Sequence, residues 1–183
     1  MSLRWGAKLI PLFEFRGNRP KIGSRCFVAS SAEIIGDVQI GDDCYIGPGA
    51  KLVADYGKIR IGSGANIEEN AVIHSRPREE CVVGDCATIG HTAVLHGCTI
   101  GNFAVIGMGA VVTDRATVGE WAAIGEGSVV VSRENIPARK VAVGGPAKPI
   151  KDISEDWKER WTKFRSFHKE FVSDFNSTLK EVD

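Results

Sequence analysis

The sequence predicts an all-β solenoid, a three-sided parallel β-helix of hexapeptide repeats with an α-helix at its C-terminal end. Two observations predict this class. An aliphatic residue returns on a six-residue beat from Ile22 to Val130, and the stretch after Ser154 carries aromatic residues at helical spacing instead. The organisation that follows is a β-helix domain over 1–153 and a helix over 154–183, packed on the β-helix or on a neighbouring subunit.

The beat is explicit. Ile22-Gly23, Ile40-Gly41, Ile46-Gly47, Ile61-Gly62, Ile89-Gly90, Ile106-Gly107 and Ile124-Gly125 are recurring aliphatic-glycine pairs, often spaced by multiples of six. Filling the gaps gives eighteen positions from 22 to 130, and each is Ile, Val or Leu. Four residues after most of them the side chain is small, as at Ala32, Ala50, Ala71, Ala93, Ala110 and Ala122. A period of six fits neither an α-helix nor an alternating strand. It fits a coil in which six residues make one flat side and one corner, so that three sides close a triangular prism. The aliphatic residue fills the interior, the small residue takes the corner, and neighbouring coils pair as parallel strands about 4.8 Å apart. Eighteen sides make six coils, ending near Ser132.

Three breaks interrupt the beat. Extra residues appear around Asp55-Tyr56-Gly57 and within His74–Glu80, and one residue is missing between Leu95 and Ile100. All three fall at one corner in successive coils. Insertions cost a stack little, so such breaks mark places where function adds chain. The Pro/Gly-rich segment Ile136–Ile153 reads as a connector. Ser154 then reads as a helix N-cap, followed by Glu155 and Asp156 at the positive end. Trp157, Trp161, Phe164, Phe167 or His168, Phe171, Phe175 and Leu179 form one apolar stripe that must cover something.

Composition narrows the function. Acidic and basic residues balance at 23 each among 183. A nucleic-acid binder would be basic, so that class loses weight. No apolar run is long enough to span a membrane and no secretory leader pattern opens the chain, which reads as soluble and cytoplasmic. Five irregularly spaced cysteines fit reduced thiols better than a disulfide framework.

The repeat phase serves as a ruler for the histidines. His74 follows interior Ile73 and His96 follows interior Leu95, on one face and one coil apart. Their rings should project outward in register, about 5 Å apart. His91 belongs to the adjoining face, and a convex prism cannot aim it at the other two. Threefold packing of copies can, by setting His91 of one chain beside His74 and His96 of the next. Three neutral imidazoles with an open position form the pattern of a catalytic zinc site. Glu68 and Glu69 sit one coil under His91 and read as able to orient a ligand or move a proton. Asp55 lies one coil below His74. Glu79 and Glu80 occupy the loop after His74.

These stretches, notably Asn66–Ser75, Ile89–Gly101, Val105–Val112 and Val141–Ile150, resemble the γ-class carbonic anhydrase family and its relatives from carnitine metabolism and phenylacetate degradation. The resemblance implies a left-handed β-helix and a homotrimer. It implies His74, His91 and His96 as metal ligands, with His91 given across the interface, and Zn2+ as the metal, with Co2+ or Fe2+ as alternatives. It implies Asn66 and Glu68 as catalytic residues, Glu68 standing where a glutamine assists the metal-bound water. The chain departs from the family at Val53, where an arginine normally precedes the aspartate matched by Asp55, and at Glu68 itself.

The function expected from this is a metal-dependent lyase hydrating CO2, weakened by those departures. The competing readings are a hexapeptide-repeat acyltransferase or CoA-thioester hydrolase, whose histidine activates the acceptor at a subunit cleft, and a metal-bearing trimeric scaffold with little catalysis. Either way the partners expected are further copies of the chain and a small-molecule substrate, with no nucleic acid and no membrane.

Overall fold

Each six-residue unit forms one short strand and one corner, and the computed structural model shows these units wound into a left-handed, three-sided β-solenoid. It describes residues 4–5, 8–9 and 11–180, the side chains of 4, 5, 8, 9, 168 and 169 excepted. Face 1 stacks residues 33–36, 51–54, Val72–His74, Val94–His96, Val111–Val112 and Val129–Val130. Face 2 stacks Lys21–Ile22, residues 38–40 and 58–61, Glu80–Val83, Thr99–Ile100, Thr117–Val118 and Asn135–Ile136. Face 3 runs from Phe27–Val28 through Tyr45–Ile46, Asn66–Ile67, Thr88–Ile89, Val105–Ile106 and Ala123–Ile124 to Lys140–Val143. Every pairing along these three ladders is parallel.

The interior is the aliphatic column that the beat demands. Ile34, Leu52, Ile73, Leu95 and Val112 are fully buried on face 1, and the small residues Ala50, Ala71, Ala93 and Ala110 are buried at its corners. The corners turn through left-handed backbone, with positive φ at Asp43, Asn70, Cys86, Thr92, Phe103 and Trp121. Such a conformation strains bulky and β-branched residues. At Phe103 and Trp121 ring stacking offsets it: their centroids lie 4.6 Å apart, one coil above another.

The solenoid extends beyond the six coils the beat predicts. Leu12 pairs with Ile34 below. Above, Ile136 and Ala142 keep the six-residue phase after Val130 and are fully buried, so the Pro/Gly-rich connector is itself a further coil. Neither Ile136 nor Ala142 is followed by glycine, and the one aliphatic-glycine pair, Val143-Gly144, is out of step, which hides the phase. The first break is not a loop either. The chain runs as one strand, Lys51–Ile61, across a corner from face 1 to face 2. Gly57 lies under the segment that follows His74: a Cβ there would stand 2.1 Å from the Arg76 carbonyl and 2.4 Å from that of Glu79. The strand Lys148–Asp152 turns back antiparallel on Lys140–Val143 and closes the upper edge of face 3.

The helix Glu155–Thr178 is N-capped by Ser154, whose hydroxyl accepts from the Trp157 amide at 3.2 Å. It lies along face 3. Phe175 packs on Phe27 and Tyr45, with centroids 4.8 and 5.5 Å away, and Val172 is buried. The expected stripe splits in two. Trp157, Trp161 and Phe175 turn inward, joined by Val172 from outside the stripe, whereas Phe164, Phe167, Phe171 and Leu179 are exposed. Residues 164, 167 and 171 follow a neighbouring line of the helix, and Arg165 takes the inward place between Trp161 and Val172. The His168 side chain lies outside the described residues. Among the described residues no helix is long and apolar enough to cross a membrane.

Candidate functional site

Face 1 carries no helix, and its outward side chains in two successive coils are imidazoles. The parallel register sets His74 directly against His96, and the rings stack with centroids 5.2 Å apart and planes within 7°. Ile73 and Leu95, fully buried beside them in sequence, fix the strands from inside. Each ring meets a carboxylate of its own. Asp55 Oδ1 lies 3.0 Å from His74 Nε2, and Asp114 Oδ1 makes a short hydrogen bond with His96 Nδ1. The ladder continues downward to Val53, which stands opposite His74.

Asp114 is held by more than His96. Its other oxygen accepts from Arg76 Nη1, and Arg76 Nε lies 3.3 Å from Glu79. Glu79 in turn accepts from Arg115. Burial pushes the Asp114 carboxyl up, but the His96 hydrogen bond and the Arg76 charge outweigh it and hold the group below the usual carboxylate range. Asp114 is therefore an anion that orients His96 through Nδ1 and leaves Nε2 directed away. That is the arrangement of a general base steadied by a carboxylate. Glu80 belongs to a separate contact, 3.8 Å from Arg60.

His91 lies in the corner after face 3, outside the His74–His96 stack. Glu69 Oε2 stands 2.6 Å from its Nδ1 and Glu68 Oε2 stands 3.2 Å from its Nε2, while the His91 amide donates to Glu68 at 3.1 Å. Asn66 is almost fully buried and donates to Glu68 Oε1 at 2.9 Å, leaving its own carbonyl oxygen without a partner. Burial pushes the Glu68 carboxyl above its ordinary value despite the neighbouring His91. For Glu69 burial acts upward too, but the Tyr45 hydroxyl, donating at 2.7 Å, and His91 bring it below the ordinary value.

The chain thus brings together His74, His96 and Asp55, and separately His91 with Glu68, Glu69 and Asn66. Sequence reasoning misses Asp114, Arg76 and Arg115. Asp114 is recoverable, since the seventeen-residue coil that sets Leu95 against Val112 brings Asp114, two residues beyond Val112, beside His96. Arg76 is not, because it lies in an insertion that breaks the phase.

Comparison with known proteins gives the second line of evidence. The family profile of six bacterial transferase hexapeptide repeats matches residues 19–54, and that of the GMPPB C-terminal domain matches residues 53–162. The carnitine operon protein CaiE of Escherichia coli is 38% identical over 154 residues, 82% of this chain and 79% of CaiE. A proposed acetyltransferase from Bacillus cereus superposes with a TM-score of 0.89 at 31% identity, covering 92% of this chain and 98% of that one. A hexapeptide transferase family protein from Anaplasma phagocytophilum gives 0.85 at 34% identity, covering 90% and 97%.

These findings correct the expected chemistry. The similar structures carry transferase descriptions, so the zinc-dependent, carbonic anhydrase-like lyase does not stand. The geometry agrees. Within one chain both ring nitrogens of His91 face carboxylates, and among the described residues no three His, Cys, Asp or Glu side chains converge as a metal site. Within one chain the described residues form no site for Zn2+, Co2+ or Fe2+, and no step here is routed through one.

Proposed function

The chain belongs to the hexapeptide-repeat family of left-handed β-helix proteins that includes CaiE, and from that premise we propose that it is an acyltransferase acting on a small thioester donor. The observation that carries this reading is the Asp114–His96 dyad on the uncovered face of the prism. His96 Nε2 takes the proton of an acceptor hydroxyl or amine as that atom attacks the thioester carbonyl carbon. The tetrahedral intermediate collapses, the carbon–sulfur bond breaks, and the imidazolium returns the proton to the leaving thiolate. Asp114 keeps the ring in the tautomer that leaves Nε2 basic, and its negative charge favours the imidazolium formed midway. His74, held by Asp55, walls the acceptor from below.

A flat, convex face makes half a cleft. The proposal therefore includes a homotrimer in which the His91 corner of one copy, with Glu68 and Asn66, supplies the opposite wall. The transferase descriptions of the two similar structures support the reaction class.

The test is thiol release from acetyl-CoA in the presence of a panel of amines and alcohols. Release that depends on an acceptor and is lost in His96→Ala is expected. Acceptor-independent release would instead make the protein a thioester hydrolase, and thiol release unaffected by His96→Ala would overturn the assignment of the base. Light scattering should give a mass of three chains.

A further inference from the structure

The cavity between the helix and the corner joining faces 2 and 3 holds a cation that has no counter-ion among the described residues. It measures about 330 Å³ and is walled by Gly64, Cys86, Phe103, Arg165 and Ser166, with Asp43 at its rim. Arg165 reaches inward from the helix. Its Nη2 donates to the Gly64 carbonyl and its Nη1 donates to Thr88 Oγ1 at 3.2 Å. Both acceptors are neutral. The Cys86 thiol also lies within hydrogen-bonding reach of Arg165. A guanidinium carries five N–H donors, so these three contacts still leave donors unused. Among the described residues no carboxylate forms an ion pair with it. Asp43 is spoken for, with Arg25 Nε 2.6 Å from one oxygen and Nη2 2.8 Å from the other.

A half-buried charge loses hydration that neutral acceptors only partly replace. Burial accordingly holds Arg165 below its ordinary pKa. A carboxylate or phosphate matches the free fork of a guanidinium and restores what burial removes. The cavity lies at the small end of ligand-sized pockets. Phe103 and Gly64 give it an apolar side, and Cys86 sets a partly exposed thiol in its wall.

We propose that this cavity is an anion site, in which a small carboxylate or phosphate binds the free edge of Arg165 with its remaining body against Phe103. The site lies under the helix rather than on face 1, so it stands or falls independently of acyl transfer.

Cys86 provides the readout. The full-length protein is alkylated with iodoacetamide, and modification of Cys86 is followed by peptide mass spectrometry with sodium phosphate, with sodium butyrate, or with sodium chloride at matched ionic strength. At about ten times Kd, the bound anion should slow Cys86 alkylation about tenfold relative to chloride. Protection by phosphate alone identifies a phosphorylated ligand, and protection by butyrate alone identifies a carboxylate. Arg165→Met should abolish protection while circular dichroism shows the helix retained. If that variant loses its helix, Arg165→Lys decides, since it keeps the charge and loses the fork. A Kd weakened about tenfold or more supports the site, and an unchanged Kd overturns it. The proposal also fails if neither anion slows alkylation, or if protection survives in a folded Arg165→Met.

Discussion

Face 1 and face 3 share one repeat and one register, and they differ in what lies over them. On face 3 the outward positions beside the interior column carry Phe27, Tyr45, Asn66 and Thr88, and the helix seals them: all four are buried. On face 1 the outward positions that follow Ile73 and Leu95 carry His74 and His96, which stay partly exposed and face carboxylates. The repeat is chemically blank. It sets backbones at fixed intervals, and chemistry appears where a face is left uncovered and the outward side chains of adjacent coils are both reactive.

Five substitutions break or sharpen that contrast. The largest effect is expected at His96→Ala, which should cut acyl transfer about 10²–10⁴-fold and leave the melting temperature nearly unchanged, as thiol release and calorimetry would show. Leu95→Ala, one residue away but pointing inward, should do the reverse. It should cost about 2–5 kcal/mol of stability by denaturant titration, and the remaining folded protein should keep most of its activity. Asp114→Asn should lower activity about 10²-fold through loss of the ring-orienting anion, without the loss of stability that Leu95→Ala brings. Phe175→Ala tests the sealed face. It removes the ring contacts to Phe27 and Tyr45 and should cost about 2 kcal/mol with activity retained.

The smallest effect is expected at Glu68→Gln. Burial raises the Glu68 carboxyl relative to the unfolded chain, so its ionised form is penalised in the fold. That penalty is absent below the ordinary carboxylate range, near pH 4, and grows as pH rises through the raised value. The glutamine should therefore raise the melting temperature at pH 7–8. The gain should vanish in acid, where Glu68 is protonated in both states. Glu68 Oε1 accepts from Asn66 Nδ2, so the new amide can donate to the Asn66 side-chain oxygen once the Asn66 amide turns over.

Much of this architecture is legible in the residues. The beat from Ile22 to Val130 gives the prism, and the phase of His74 and His96 puts their rings in one stack, observed at 5.2 Å. Three things were harder to read, each for a physical reason. Ile136 and Ala142 extend the prism without glycine partners, so the top coil reads as linker. Arg76 and Glu79 sit in an insertion, where counting from the nearest interior residue stops working. The helix stripe drifts because aromatic residues occupy two adjacent lines of one helix, and burial separates Phe175 from exposed Phe171 only once the helix is docked. The reaction itself was the least legible part. Outward histidines on a β-helix look alike whether they hold an ion or move a proton, and it is the likeness to transferase structures that overturns the lyase.

The returning strand Lys148–Asp152 carries a last consequence. A stack of parallel coils has no intrinsic reason to end: its top rung offers the same unpaired amides and carbonyls as every rung beneath, an invitation to fibre growth by further chains. Here the final rung on face 3 is taken by a reversed segment whose sequence, Lys-Pro-Ile-Lys-Asp, includes two lysines and a proline that cannot donate. Polymerisation along the column axis is thereby blocked on that face by the chain's own tail.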